Sequence, residues 1–298
     1  MIDIAASILA KLKNKAKASG ITYQQCLQLF MQEEFLRKLS KSQYTSNLIL
    51  KGGLFIYVLT NFESRATIDV DFLLSNQANS IEEVKKMIEE IIMVPTGNDF
   101  IEMTAKGFEE ISPQRQYKGT STQIIGKIKN VRIPFNVDIG VGDVIVPKAE
   151  KRKIGTQLPD FEAPEIQTYT LESTIAEKFD AILQRYELTG RMKDFYDIYY
   201  LAQIFKFDGT KLQSAIFETL QNRGTIYEKN SFQRVVWLAN DSDMQIKWRY
   251  FLKNIKNDSL DFAFVINKIQ EFLEPVYDSI VNETEWQRIW DSKKQSWS

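Results

Sequence analysis

Hydrophobic positions change their period along the chain, and the changes divide it. Over residues 1–39 they recur every three to four positions, predicting two helices broken at Ser19-Gly20. In the second, Leu27, Phe30, Met31, Phe35 and Leu39 form one apolar stripe. Asn47–Leu50 then runs into Lys51-Gly52-Gly53 and the apolar stretch Leu54–Leu59, a pattern of strand, tight glycine turn and short helix. Thr67–Leu74 alternates with period two, placing Ile68, Val70, Phe72 and Leu74 on one face and Thr67, Asp69 and Asp71 on the other. Ser80–Val94 is an amphipathic helix with an N-cap serine, early Glu82 and Glu83, and a stop before Pro95.

From Phe100 to Val146 the pattern is β-rich, with breaks expected near Gly107, Ser112-Pro113, Gly119 and Asn130. One strand there points Phe135, Val137 and Ile139 inward and Asp138 outward. Pro147–Pro164 carries three prolines and a charged run, and is the expected boundary. Beyond it the pattern is helical to the end. Ile175, Phe179, Ile182, Leu183 and Tyr186 make one stripe, and Met192, Phe195, Tyr196 and Tyr199 a second. Further helices carry Trp237, Trp248, Phe262, Phe264, Phe272 and Trp286. The expected architecture is N-terminal helices (1–40), a mixed α/β domain (41–147) and an all-helical domain (165–298), an α/β plus α fold class.

Composition narrows the chemistry. The 298 residues are 44% hydrophobic with a net charge of -1, so a sizeable core is available and general disorder is excluded. No apolar run reaches the length of a membrane span, and Met1–Lys17 places its lysines after its apolar residues, opposite to a secretory signal. The one cysteine, Cys26, suits a reducing cytoplasm. There is no histidine at all, which removes Ser-His-Asp and Cys-His nucleophiles and the common zinc sites. Hydrolysis or group transfer must therefore rest on carboxylates, lysines, arginines and hard metal ions.

The sharpest local feature is Asp69-x-Asp71 on an otherwise apolar strand. Isolated, such a pair is usually the solvated face of an edge strand. Two carboxylates on one strand face repel unless a cation lies between them, and Mg²⁺ accepts one or two carboxylates with water and phosphate oxygens. Gly52-Gly53 could offer backbone amides and a helix N-terminus to an anion, although most such turns are only turns. Arg65 could offset phosphate charge, and Asp138 adds a third strand-borne acid. Asp143 lies past two glycines, and its direction is open. Three acids beside a glycine turn suit metal-assisted nucleotidyl transfer. In the helical half, Asp194 and Asp197 share a helix face, and Lys178 either reaches a triphosphate or makes an ordinary salt bridge. Residues 115–153 hold nine basic side chains (Arg115, Lys118, Lys127, Lys129, Arg132, Lys148, Lys151, Arg152, Lys153) against three acids, suiting either an RNA backbone or a solvated hairpin.

Taken in order, Leu50-Lys51-Gly52-Gly53, Arg65-x-Thr67-x-Asp69-x-Asp71, Val137-Asp138, Ala176-Glu177-Lys178-x-Asp180-Ala181 and Lys193-Asp194-x-x-Asp197 resemble the AbiEii/AbiGii toxin family, nucleotidyltransferases of type IV toxin–antitoxin systems with the MenT toxins among their relatives. The resemblance spans residues 45–205. It implies a nucleotidyltransferase-like domain joined to a helical one, with an NTP and Mg²⁺ as the working ligands. Asp69 and Asp71 match the metal-binding pair, with Asp138 where a third acid is expected. Gly52, Gly53, Arg65 and Thr67 match the nucleotide-holding loop, Lys178 the phosphate-contacting lysine, and Asp194 a catalytic or site-organising acid. It further implies a cytoplasmic toxin of phage abortive infection, with a neighbouring AbiEi-like antitoxin and an acceptor such as the tRNA 3′ end. An acceptor that is a small molecule or protein, and a non-catalytic binding relative, are the alternatives. Two departures stand out: the turn is Gly-Gly where many polymerase-type relatives have Gly-Ser, and the last motif begins Lys193-Asp194 rather than Arg-Asp.

Overall fold

Local signals at the helix ends set the first elements. The computed structural model describes residues 3–65, 67–111, 118–188, 190–257 and 259–298. Asp3 accepts from the Ala6 amide to start α1 (Ile4–Ser19), which ends on Gly20 in the left-handed region, φ 73°. A reciprocal Thr22/Gln25 capping box then opens α2 (Tyr23–Ser40).

The expected single stripe on α2 is too narrow. Every residue from Cys26 to Leu39 is buried, including Gln28, Gln32, Glu33, Glu34, Arg37 and Lys38. These polar groups are tolerated because they find partners inside. Arg37 Nε donates to Glu34 at 2.7 Å, and Asn98 donates to the same carboxylate at 2.8 Å. Gln32 donates to the Ile68 carbonyl at 2.7 Å, Gln28 to that of Pro134 at 3.0 Å and Lys38 to that of Val94 at 2.7 Å. The Gln157 amide donates to Glu33 at 2.8 Å, and the Arg37 guanidinium lies 5.0 Å from the Phe161 ring. A central helix bonded on all sides cannot show an amphipathic period.

The sheet elements are β1 (Leu48–Lys51), α3 (Gly52–Leu59), β2 (Asp69–Leu74), α4 (Ile81–Met93), β3 (Ile101–Ile111), β4 (Gly119–Ile128), β5 (Val131–Gly140), β6 (Glu150–Lys153) and β7 (Glu165–Thr168). Among the described residues they form a seven-stranded mixed sheet, ordered β3-β4-β5-β2-β1-β7-β6. β2 runs parallel to β5, and β1 parallel to β7. The inner face presents Val70, Phe72, Phe135, Val137 and Ile139, with Phe35 of α2 packed 6.1 Å from Phe72 and 6.2 Å from Phe135. Ile68 does not join that face and is 51% exposed, because the β2–β5 ladder begins only at Asp69↔Asn136. Gly107 does not break its strand. With φ 65° it is the extra residue of a bulge between Lys106 and Phe108, and β3 continues through it. The expected break at Ser112-Pro113 lies outside the described residues.

Two compact units emerge, one from Met1–Gly142 with Glu150–Tyr169, the other from Asp143–Ala149 with Thr170–Ser298. The chain thus leaves the first unit after Gly142, returns within the proline-rich stretch at Glu150 to contribute β6 and then β7 to the sheet, and leaves again after Tyr169. The second unit holds α5 (Leu171–Arg185), α6 (Met192–Ile204), β8 (Phe207–Asp208), α7 (Gly209–Arg223), α8 (Ser231–Trp237), α9 (Ser242–Asn254), α10 (Phe262–Val281), β9 (Ile289–Asp291) and β10 (Ser296–Trp297). It is not purely helical: β8, β9 and β10 form a small antiparallel sheet. Strands of two or three residues are too short to carry a period. Their anchor is aromatic, with Trp290 and Trp297 4.9 and 5.8 Å from Phe272. Trp248, Phe262 and Phe272 are core, whereas Trp237 and Phe264 are exposed. No helix among the described residues is long and apolar enough to cross a membrane.

Burial pushes the Glu33 carboxyl up to about 8 from an ordinary value near 4.5, against the opposing pull of the Gln157 amide and Arg37. The folded chain therefore keeps a proton that the unfolded chain releases, and stability falls as pH rises from about 4.5 to about 8, by up to roughly 1.4 kcal/mol per pH unit. Glu33→Gln keeps an acceptor for Gln157 and removes this titration. Denaturant unfolding from pH 5 to 8 should show the variant gaining on the wild type toward pH 8; parallel profiles would contradict it.

Candidate active site

Strand register assembles the acids. Asp71 pairs directly with Asp138 on the parallel strand β5, and Asp69 pairs with Asn136. On its other side Asp71 pairs with Lys51 of β1, while Asp138 pairs with Ser121 of β4. Register partners share a sheet face, so Lys51, Asp71, Asp138 and Ser121 form one rung across four strands, and Asp69 lies two residues along the same face. All three acids are half-buried. Neighbouring strands are about 4.8 Å apart, close enough for Asp71 and Asp138 to repel in the absence of a cation.

The glycine turn meets this rung. Gly52 has φ 70° and begins α3. A Cβ built on it would lie 2.0 Å from Asp71 Oδ2, so the carboxylate occupies the space any side chain would need. A Cβ on Gly53 would come within 3.1 Å of the Thr67 side chain. Gly52, Gly53, Thr67, Asp71 and the N-terminus of α3 are therefore neighbours, and a helix N-terminus favours a nearby anion. Arg65 is half-buried just ahead of β2. Lys51 Nζ sits 5.0 Å from the centre of the Tyr169 ring and 3.4 Å from its hydroxyl.

Carboxylate oxygens are the hard donors that a divalent ion such as Mg²⁺ selects, and Asp69, Asp71 and Asp138 supply them on one sheet face. In that chemistry the residues fit a metal. Among the described residues, however, no three or more Asp, Glu, His or Cys side chains are gathered tightly enough to hold one. Two of the three acids accept hydrogen bonds from neutral neighbours: Ser121 Oγ donates to Asp138 Oδ1 at 2.5 Å and Asn136 Nδ2 to Asp69 Oδ1 at 3.2 Å. Sequence reasoning missed Ser121, Asn136 and the rung position of Lys51. Only the alternation of β4 and β5 could have suggested the first two, and register is what makes them neighbours.

In the second unit Lys178 is buried against α6. Its ammonium lies 3.2 Å from Asp194 Oδ1 and 2.8 Å from Asp197 Oδ2, and Arg191 Nε reaches Asp194 Oδ2 at 2.5 Å. Burial works to raise the Asp194 carboxyl, but the charges and hydrogen bonds of Lys178 and Arg191 outweigh it and hold it below the usual carboxylate range. The shared helix face expected for Asp194 and Asp197 thus forms a lysine clamp. Asp143 also finds its direction here. Arg223 bonds Asp143 at 2.7 Å and Asp180 at 2.9 Å, with Glu177 at 3.3 Å.

The basic segment is largely neutralised. Lys118 pairs with Glu110, Lys127 with Glu102, Lys129 with Asp3, Lys151 with Glu165 and Arg152 with Glu150. Arg115 lies outside the described residues.

Gly52→Ala should be among the costliest single changes in the first unit, since it meets both a left-handed backbone and the Asp71 carboxylate. Denaturant unfolding should show a loss of about 2 kcal/mol or more. Gly53→Ala, facing only the Thr67 side chain, should cost less than about 1 kcal/mol. Equal costs for the two would contradict this geometry.

Solved structures similar to this chain share its fold. The chain resembles MenT4, a nucleotidyltransferase toxin of Mycobacterium tuberculosis H37Rv, at 16% identity and a TM-score of 0.56, with 93% of this chain and 99% of that one covered. A candidate nucleotidyltransferase from H. pylori aligns at 13% identity and a TM-score of 0.51, covering 89% of this chain and 100% of that one. No curated protein matches. The family model for the AbiEii nucleotidyl transferase toxin of type IV toxin–antitoxin systems matches residues 34–289, most of the chain. The chain therefore belongs to the AbiEii family of nucleotidyltransferase toxins.

Proposed function

We propose that this nucleotidyltransferase toxin transfers a nucleoside monophosphate from an NTP to a hydroxyl at a tRNA 3′ end, in a Mg²⁺-dependent reaction in the cytoplasm. The observation that carries the reading is the Asp71–Asp138 rung set against the Gly52-Gly53 elbow. Asp69, Asp71 and Asp138 would hold the divalent ions. Bound there, such ions lower the pKa of an attacking hydroxyl and offset charge on the departing pyrophosphate. The amides at the start of α3 receive a phosphate oxygen, with Arg65 and Thr67 beside them. Lys178, paired with Asp194 and Asp197, is the phosphate-contacting lysine in this reading, and Asp194 organises it. With no histidine in the chain, the acceptor's proton leaves to a carboxylate or to water. A toxin of this family has a cognate antitoxin. In this reading that antitoxin is an AbiEi-like protein encoded nearby, and the pair acts in phage abortive infection.

One observation favours a second acceptor class. Five of the basic side chains that would meet an RNA backbone are engaged with acids, which weakens the electrostatic footprint of nucleic-acid binding and suits a protein or small-molecule acceptor. Incubating the chain with each α-labelled NTP and Mg²⁺, with total tRNA in one arm and total cell protein in another, separates them. Label should enter tRNA, and Asp69→Ala or Asp71→Ala should cut incorporation by roughly a hundredfold or more, the scale of losing a charge-stabilising group. Label in protein alone would replace the acceptor. Full activity in either variant would remove the mechanism.

A further inference from the structure

Asp138 does not stand alone on its rung. Ser121, its register partner on β4, donates its hydroxyl to Asp138 Oδ1 at 2.5 Å. That length is typical of a charge-assisted O–H···O⁻ bond, roughly twice as strong as a neutral one. The device is repeated two residues along β5, where the Asn136 amide donates to Asp69 Oδ1 at 3.2 Å. In both cases the donor is neutral, so it fixes a carboxylate without cancelling the charge that would attract a cation. Lysine or arginine at either place would pair with the acid and neutralise it.

Packing does not explain Ser121. Its neighbours Thr120 and Thr122 are buried on the opposite, covered face, whereas Ser121 is half-buried on the face that carries the acids. A carboxylate on a strand otherwise samples several rotamers, and a hydrogen bond to one oxygen selects among them. Groups that orient a metal ligand in this way are known to tune metal affinity by 10–100-fold.

We infer that Ser121 is a positioning residue: its hydroxyl holds Asp138 in the orientation in which that carboxylate takes a divalent cation, and so sets the affinity of the site. The inference rests on the reading of Asp138 as a metal-holding acid. The test is titration of the full chain with Mn²⁺, following free Mn²⁺ by electron paramagnetic resonance in the presence of a non-hydrolysable NTP. Wild type is compared with Ser121→Ala and with the isosteric pair Ser121→Thr and Ser121→Val, which differ only in the hydroxyl.

Mn²⁺ binding should weaken about tenfold in Ser121→Ala and Ser121→Val, and stay within about twofold of wild type in Ser121→Thr. Transfer activity in the weakened variants should recover at saturating metal. Equal Mn²⁺ affinity in the Thr and Val variants would overturn the inference and leave the proposed reaction standing. A wild type that incorporates label yet binds no Mn²⁺ would do the same. A wild type that neither binds Mn²⁺ nor transfers nucleotide would sink both.

Discussion

Two like charges placed side by side on neighbouring parallel strands are the constraint around which the first unit is arranged. Asp71 and Asp138 are fixed opposite each other by the β2–β5 register, and a one-residue slip would send them to opposite faces. Such a rung is unfavourable by itself. Lys51 stands on the β1 side of it and Ser121 on the β4 side, and the start of a helix is brought against Asp71. The elbow can come so near only because residue 52 lacks a side chain and has a left-handed backbone. Charge, register and the missing Cβ are thus parts of one solution.

Holding that register falls to the inner face. Val70, Phe72, Phe135 and Val137 are fully buried beneath α2, and the helix adds hydrogen bonds from Gln32 to the chain just before β2 and from Gln28 to β5. Both strands of the acid rung are therefore tied to the same helix by apolar packing and by polar bonds. Buried polar bonds are directional, and they resist the sliding that apolar contacts alone would permit.

Periodic features were legible in the amino-acid sequence. The break at Ser19-Gly20, the strand–glycine–helix unit, the Asp69-x-Asp71 strand and the helix after Ser80 all appear where local chemistry demands them. What escaped reading is whatever depends on partners distant in sequence. The polar residues of α2 look solvent-facing until Asn98 and Gln157 arrive to bond them. Gly107 looks like a break, but pairing with β4 converts it to a bulge. The short strands near Trp290 and Trp297 are anchored by packing against Phe272, distant in sequence. Likewise the acids of the site could be read singly, whereas Ser121, Asn136 and Lys51 became visible only once strand order placed them beside those acids.

The central claim is that Asp71 and Asp138 share a divalent ion at the glycine elbow. Anomalous diffraction from crystals grown with Mn²⁺ and a non-hydrolysable NTP measures this directly. The account requires a Mn²⁺ peak within coordination distance of both carboxylates, with a nucleotide phosphate at the start of α3. Well-ordered nucleotide with Mn²⁺ bound to other side chains, and neither carboxylate in contact, would contradict it.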